Sequence, residues 1–311
     1  MAKWTPADMP DQAGKVAIVT GANIGLGYYT ALELARKGAT VVMACRNQAK
    51  AQAALADLQR EVPGAKAEVM ALDLADLGSV KAFVAAFKAK HAKLDLLINN
   101  AGVMALPLCR TAQGFEMQIG TNHFGHFALT GQLLDLLLAT PGSRIVNTSS
   151  LAHTWTRAMD LTDPNFERKG YWKWDAYGKS KLANLLFTYE LQRRLAKSGT
   201  KLITVAAHPG YAATNLQLAG PEMAKSAFNK VMMVAANKIF AQSAAQGAWP
   251  QLYAATSPDI RGGEFVGPDG LGKSRGYPEV QRSNRQSRDE AVAAKLWSLS
   301  EQLTGTRFLS A

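Results

Sequence analysis

The chain has 311 residues, 48% of them hydrophobic, and a formal net charge of +11; this composition belongs to a globular protein and excludes an intrinsically disordered one. No apolar run approaches the ~18 to 20 residues that span a bilayer, and the N-terminal "MAKWTPADMPDQAGK" lacks the apolar core of a secretory signal. The two cysteines, Cys45 and Cys109, stand 64 residues apart, which excludes a disulfide framework and metal-type spacing and suits a reducing, cytoplasmic compartment.

Taken in chain order, the first 210 residues alternate between short apolar runs and longer helical patterns. "KVAIVTG" from Lys15 reads as a strand, and "YYTALELARKG" as a helix closed by Gly38. "ATVVMACR" is strand-like. "NQAKAQAALADLQREV" is helical and stopped by Pro63-Gly64. "AKAEVMALDL" (strand), "LGSVKAFVAAFKAKH" (helix) and "LDLLINNAG" (strand) follow. Next come the long helical "FEMQIGTNHFGHFALTGQLLDLLLA", the strand "RIVNTSS", an aromatic loop, the helix of "YGKSKLANLLFTYELQRRLAKSG" and a sixth strand, "KLITVAAHPG". The strands are apolar throughout rather than alternating, as strands buried on both faces are. Strand–helix alternation of this length predicts right-handed crossovers and an α/β fold with a doubly wound parallel sheet. In the last third, "PEMAKSAFNKVMMVAANKIF" carries apolar residues at helical spacing. Its methionines suit an adaptable lid over a substrate pocket at about residues 212–245. "AAQGAWPQLYAAT" reads as helical until Pro250, and "GGEFVGPDG" as the last strand and turn. No linker or repeat divides the chain, so one domain over residues 1–311 is expected.

The basic charges are scattered, and the densest cluster, "RGYPEVQRSNRQSRDE", also holds acids. No aromatic-rich basic strand is present, so a nucleic-acid partner is not expected. A few of the charges suit an anionic small molecule.

The first strand ends in "TGANIGLG", with Thr20, Gly21, Gly25 and Gly27. Glycines at a strand-to-helix turn let backbone approach a pyrophosphate, and the following helix N-terminus presents free N–H groups to the anion. The second strand ends at Arg46, in "ACRN". In dinucleotide folds an acid at this position selects NAD through the ribose hydroxyl, whereas an arginine accommodates a 2′-phosphate, so NADP(H) is predicted. Asp73, at the end of the third strand, could accept a hydrogen bond from an adenine amino group or serve as a helix cap. Asn100, Ala101 and Gly102 end the fourth strand, where small residues admit a cofactor close to the backbone.

"YGKSK" places Lys181 four residues after Tyr177. On a helix that step brings phenol and ammonium to one face. A neighbouring positive charge favours phenolate and is expected to lower the tyrosine from its ordinary value near ~10, which suits a general acid/base.

"TGANIGLG", "NNAG", a serine ending the fifth strand, "YGKSK" and "HPG" occur in order, and over about residues 14–270 the chain resembles the short-chain dehydrogenase/reductase family. "ACRN", "INNAGVM", "TNHFGHFALT", "SKLANLLFTYELQRRL" and "LYAATSPDIRGGEFVGPDG" resemble most its branch of retinol dehydrogenases and NADP-dependent carbonyl reductases. The resemblance implies a Rossmann fold and an oxidoreductase that moves a hydride between NADP(H) and an aldehyde, ketone or alcohol. It implies a tetrad. Tyr177 is the acid/base, Lys181 tunes the tyrosine and holds the nicotinamide ribose, Ser150 positions the carbonyl oxygen, and Asn122 holds a water linking Lys181 to solvent. Ser149 is the alternative to Ser150. The cofactor set implied is Gly21, Asn23, Ile24, Gly25, Leu26 and Gly27 in the first turn, then Arg46, Asp73 and Leu74. It continues with Asn100, Ala101 and Gly102, then Tyr177 and Lys181, and finally Pro209, Gly210 and Thr214; no metal is implied, and His208 is not expected to be catalytic.

Ser150 and Tyr177 are 27 residues apart, and the interval holds Trp155, Phe166, Tyr171, Trp172 and Trp174. These aromatics either line an apolar substrate site or form a self-packed flap. Membrane-bound members of the branch carry an N-terminal anchor. The N-terminus here has no such apolar segment, so a lipid-embedded retinoid is not the expected substrate. A homo-oligomer is left open. The competing reading is a regulator on the same fold that senses NADP(H) without turnover.

Overall fold

The structure is a computed structural model that describes residues 3–156, 159–168, 170–211 and 242–309. Its strands are β1 (Val16–Thr20), β2 (Thr40–Cys45), β3 (Ala67–Ala71) and β4 (Leu96–Asn99). They continue with β5 (Arg144–Thr148), β6 (Ile203–Ala207), β7 (Phe265–Pro268) and β8 (Pro278–Gln281). The helices are α1 (Gly25–Arg36), α2 (Gln48–Glu61), α3 (Leu77–Lys90) and a short α4 (Met117–Ile119). A π-helical turn (Gly120–Phe124) leads directly into α5 (Gly125–Ala139). They are followed by α6 (Lys173–Lys197), α7 (Ala244–Thr256) and α8 (Glu290–Thr304).

The strands form one sheet in the order β3-β2-β1-β4-β5-β6-β7-β8. Strands β1 to β7 are parallel, and β8 runs antiparallel to β7. The inner strands are buried on both faces because successive residues feed two cores, while the edge strands β3 and β8 are only partly covered. Ala17 and Val19 of β1 pack with α1, α2 and α7, while Val16 and Ile18 pack with α3, α5 and α6. The α/β doubly wound reading therefore holds. The chain reverses direction in the sheet between β1 and β4, which opens a crevice at the carboxyl ends of the strands.

Three features differ from the sequence reading. Helix α7 runs through Pro250 to Thr256. Proline removes one helical N–H, but Ala248, Leu252, Ala254 and Ala255 are buried in the core shared with α1, and that burial outweighs the lost bond. "GGEFVGPDG" supplies β7 but not the last strand; β8 follows it as an edge strand. Helix α8 had no counterpart in the sequence reading, although its signals were present. Asp289 accepts from the Val292 N–H at 3.0 Å, Ala293, Leu296, Trp297 and Ser300 make its buried face, and Gly305 ends it at φ +66°. Most of the expected lid, residues 212–241, lies outside the described residues, and Ala244 and Ala245 belong to α7.

Candidate active site

The crevice is a groove of about 370 Å³. At its centre the chain leaves β1 and turns at Gly21, whose φ is +66°. Helix α1 then begins against this turn. A Cβ on Gly27 would stand 2.4 Å from the Gly21 carbonyl oxygen and 2.6 Å from Asn100 Nδ2, so only glycine lets α1 start so close to the strand ends. Thr20 Oγ1 accepts from the Asn100 and Ala101 N–H groups, both at 2.9 Å, and Asn100 Nδ2 donates to the Thr20 carbonyl at 2.8 Å. These bonds lock the ends of β1 and β4 together. Asn47, Asp76, Ser243 and Asp289 cap α2, α3, α7 and α8 with side-chain oxygens. Helix α1 has Ile24 at that position and no side-chain cap. Gly25, Leu26 and Gly27, its first residues, line the groove with no side-chain cap on their N–H groups.

Gly21, Asn23, Ile24, Gly25, Leu26, Gly27, Arg46, Asp73, Leu74, Asn100, Ala101 and Gly102, which the sequence reading assigned to the cofactor, all line this one groove. Asp73 Oδ1 accepts from the Ala75 N–H at 2.9 Å, and it is Asp76, not Asp73, that caps α3. The groove also takes in Ala44, Asn47, Lys50, Leu72, Val103 and Thr121. Asn47 and Lys50 were legible beside Arg46 in "RNQAK", where one helical turn returns the lysine to the arginine's side. All three are exposed. Asp73 is the single acidic residue among those lining the groove.

Gly102 joins this groove to the buried cluster beyond it. A Cβ there would stand 3.1 Å from Asn122 Oδ1 and 3.5 Å from Lys181 Nζ. Lys181 is on α6 with Tyr177 one turn before it, and its ammonium lies 5.8 Å from the centroid of the tyrosine ring. Lys181 Nζ donates to the Thr148 carbonyl at 3.1 Å, and burial pulls the ammonium down to about 8. Burial pushes the Tyr177 phenol up to about 12, while a hydrogen bond with the Ser150 side chain works the other way. The expected lowering of the tyrosine by the lysine is therefore corrected: desolvation of a tyrosine that is 5% exposed dominates. The two candidate serines separate cleanly. Ser149 Oγ donates to the Lys181 carbonyl at 2.8 Å and is occupied with the α6 backbone, whereas Ser150 is the one that meets Tyr177.

Asn122 sits in the π-helical turn and is fully buried. Its Oδ1 accepts from the Val103 N–H at 2.8 Å, and its Nδ2 donates to the Val103 carbonyl and to Ser180 Oγ, both at 2.9 Å. Its own carbonyl lies 3.1 Å from His126 Nδ1, which must therefore carry the imidazole proton. His126 Nε2 then accepts from the Thr20 hydroxyl at 3.0 Å. The neighbouring His123 Nε2 donates to Ser300 Oγ at 2.8 Å, since that hydroxyl already donates to the Leu296 carbonyl. The two histidines thus brace the turn that holds Asn122, one from β1 and one from α8. Burial keeps both neutral, at about 4 for His126 and about 3 for His123.

The aromatic interval divides in two. Phe166 is buried, and the Tyr171 hydroxyl is tied to the Leu106 carbonyl at 2.9 Å, Glu116 Oε1 at 3.1 Å and Gln118 Nε2 at 2.8 Å. Tyr171 thus fastens the loop to α4 and the segment before it, and Phe166 packs edge-on against its ring at 5.3 Å. Trp155 and Trp172 remain more than half exposed, and Trp155 meets Trp174 edge-on at 5.8 Å. Trp174 lies one turn before Tyr177 and Trp155 five residues after Ser150, so the pair flanks the Ser150–Tyr177 cluster in sequence.

Pro209 and Gly210 follow β6 at the same end of the sheet but do not line the groove. The Gly210 N–H donates to His208 Nδ1 at 3.1 Å, and His208 Nε2 donates to Gln281 Oε1 at 3.1 Å. His208 is a strut between β6 and β8. Thr214 lies outside the described residues. Among the described residues no cluster of metal-ligating side chains is present, and no helix is long and apolar enough to cross a membrane.

Residues 15–161 match the family model described as short chain dehydrogenase. The chain is 42% identical over 296 residues to retinol dehydrogenase 13 of Homo sapiens, covering 94% of this chain and 85% of that protein. It also matches the crystal structure of an uncharacterized protein from Mycobacterium paratuberculosis at 44% identity, with 99% of both chains covered and a TM-score of 0.80. A short chain dehydrogenase from Shigella flexneri, complexed with NADP, shares the fold at 22% identity and a TM-score of 0.62, over 83% of this chain and 97% of that one. With a groove at the carboxyl ends of the strands that abuts Lys181, and Ser150 and Tyr177 beside it, the chain belongs to the short-chain dehydrogenase/reductase family of oxidoreductases, in its retinol dehydrogenase branch.

Proposed function

We propose that the protein is an NADPH-dependent reductase of apolar aldehydes and ketones, able to run in reverse as an alcohol dehydrogenase. The observation that carries this reading is the junction at Gly102, where the groove abuts Asn122 and Lys181 with Tyr177 and Ser150 beyond. The residues fit a dinucleotide: an uncapped α1 and close glycines for the pyrophosphate, with Asp73 and Leu74 beside the adenine. Arg46, Asn47 and Lys50 form a basic, acid-free corner where a ribose 2′-phosphate would sit. When bound, the cofactor supplies the hydride. The chain supplies the rest. A phenol pushed up to about 12 is fully protonated at neutral pH, so Tyr177 stands ready as the acid that protonates a carbonyl oxygen as it gains negative charge. The Ser150 hydroxyl shares that oxygen and orients it. Lys181 places a positive charge one turn from the phenol and favours the phenolate left after proton transfer. Asn122 fixes the Val103 backbone against the cluster and is the anchor for a water that returns the proton. The exposed Trp155 and Trp172 and the half-buried Trp174 offer apolar surface to the remainder of the substrate.

The test is NADPH oxidation by the purified chain against aliphatic, aromatic and polyene aldehydes and ketones, run beside Tyr177→Phe. Turnover with apolar carbonyls is expected. Loss of the general acid should slow kcat by roughly 10²- to 10⁴-fold with NADPH binding retained. A wild-type chain that binds NADPH but reduces none of the panel would instead be a cofactor sensor.

A further inference from the structure

Gln251 of α7 is remote in sequence from the glycine loop and from Ser150, Tyr177 and Lys181, yet its side chain lies between the cofactor loop and the carbonyl that holds Lys181. It is 2% exposed. Its Nε2 donates to Thr30 Oγ1, to Asn100 Oδ1 at 3.3 Å and, more weakly, to the Leu26 carbonyl at 3.5 Å. The amide orientation follows from chemistry. Thr30 Oγ1 already donates to the Leu26 carbonyl at 2.8 Å, so it can only accept from Gln251. Asn100 Nδ2 is likewise committed to the Thr20 carbonyl, leaving its Oδ1 to accept. Gln251 Oε1 then accepts from Thr148 Oγ1 at 3.1 Å. Thr148 is the residue whose carbonyl receives Lys181 Nζ at 3.1 Å and Asn184 Nδ2 at 3.0 Å.

We infer that Gln251 is a positioning residue that couples the glycine loop of the cofactor groove to the anchor of Lys181. The inference rests on the proposed NADPH-dependent reduction. One arm of the amide holds the first turn of α1 and the Asn100 loop, where the cofactor binds. The other holds the end of β5, which sets how well the Lys181 ammonium is satisfied. Both arms are needed at once, and the uncharged amide donates on one side while it accepts on the other.

The test uses the full chain and three variants: Gln251→Met, which removes both arms at similar volume, Thr30→Val, which removes one bond of the cofactor arm, and Thr148→Val, which removes the lysine arm. NADPH dissociation constants and the pH dependence of kcat are measured. Loss of one buried hydrogen bond should weaken NADPH binding roughly fivefold in Thr30→Val. In Thr148→Val a less satisfied ammonium should move the basic limb set by the Tyr177–Lys181 pair down by about half a pH unit. Gln251→Met should do both. Unchanged NADPH affinity and an unmoved limb in Gln251→Met, with wild type active and Tyr177→Phe inactive, overturn the coupling and leave the reductase reading standing. Wild type that neither binds NADPH nor reduces carbonyls overturns both. Should Gln251→Met not fold, the threonine variants decide: both readouts unmoved in both variants overturns the inference.

Discussion

Lys181→Met is expected to abolish turnover and yet make the apo protein more stable. Lys181 is 3% exposed and its ammonium is pulled from 10.5 to about 8 by burial alone. A downward shift of that size means that folding with the ammonium charged costs about 3 kcal/mol at any pH below the folded value. Methionine matches the length of the stem and carries no charge. Its cost is the lost donation to the Thr148 carbonyl, about 1 kcal/mol, and that carbonyl still receives Asn184 Nδ2 at 3.0 Å, so it is not left orphaned. The net gain is about 2 kcal/mol. The sign of the pH dependence follows from the depressed value. Between pH 8 and 10.5 the unfolded chain binds a proton that the folded chain does not, so wild-type stability rises with pH across that window and the advantage of the variant shrinks. Urea denaturation of both proteins without cofactor at pH 7, 8, 9 and 10 measures this, since other titrating groups cancel in the difference. A variant less stable than wild type at pH 7, or a difference that stays constant from pH 8 to 10, would refute the claim that burial of this ammonium dominates.

Arg46→Asp should weaken NADPH binding far more than NADH binding, because an acid replaces a cation where the 2′-phosphate would sit; equal losses for the two cofactors in a titration would remove the basis for NADP(H) preference. Gly27→Ala should fold but bind NADPH at least roughly fivefold more weakly, since overpacking costs about 1–3 kcal/mol and the new methyl would meet the Gly21 carbonyl oxygen at 2.4 Å; near-wild-type affinity by fluorescence titration would show that the loop yields freely. Acid should destabilise the protein early. His123, His126 and His208 are buried neutral at about 3, 4 and 4 against an ordinary 6.5, so stability is full above pH 6.5 and falls as pH drops toward 4. Three such groups give a limiting slope of about 4 kcal/mol per pH unit. Denaturation midpoints that do not change between pH 7 and 5 would contradict the buried, neutral assignment.

The local chemistry of this chain was legible without coordinates. Strands that are apolar at every position must be covered on both faces, and β1 feeds both cores as that rule requires. The glycines of the first turn were legible as a close approach of helix to strand, and the four-residue step from Tyr177 to Lys181 places both on one side of α6 because helix geometry is local. What the tertiary structure alone decided concerns burial and distant partners. The phenol moves up rather than down because the surrounding elements exclude water from it. Ser150 and not Ser149 meets it because the end of β5 turns one serine toward the α6 backbone and the other toward the ring. Helix α7 passes through Pro250 because its flanks are packed against α1. Gln251 reaches partners 103 to 225 residues away in sequence. Periodicity and propensity act over a few residues, whereas desolvation and hydrogen-bond partnership depend on whatever the fold brings alongside.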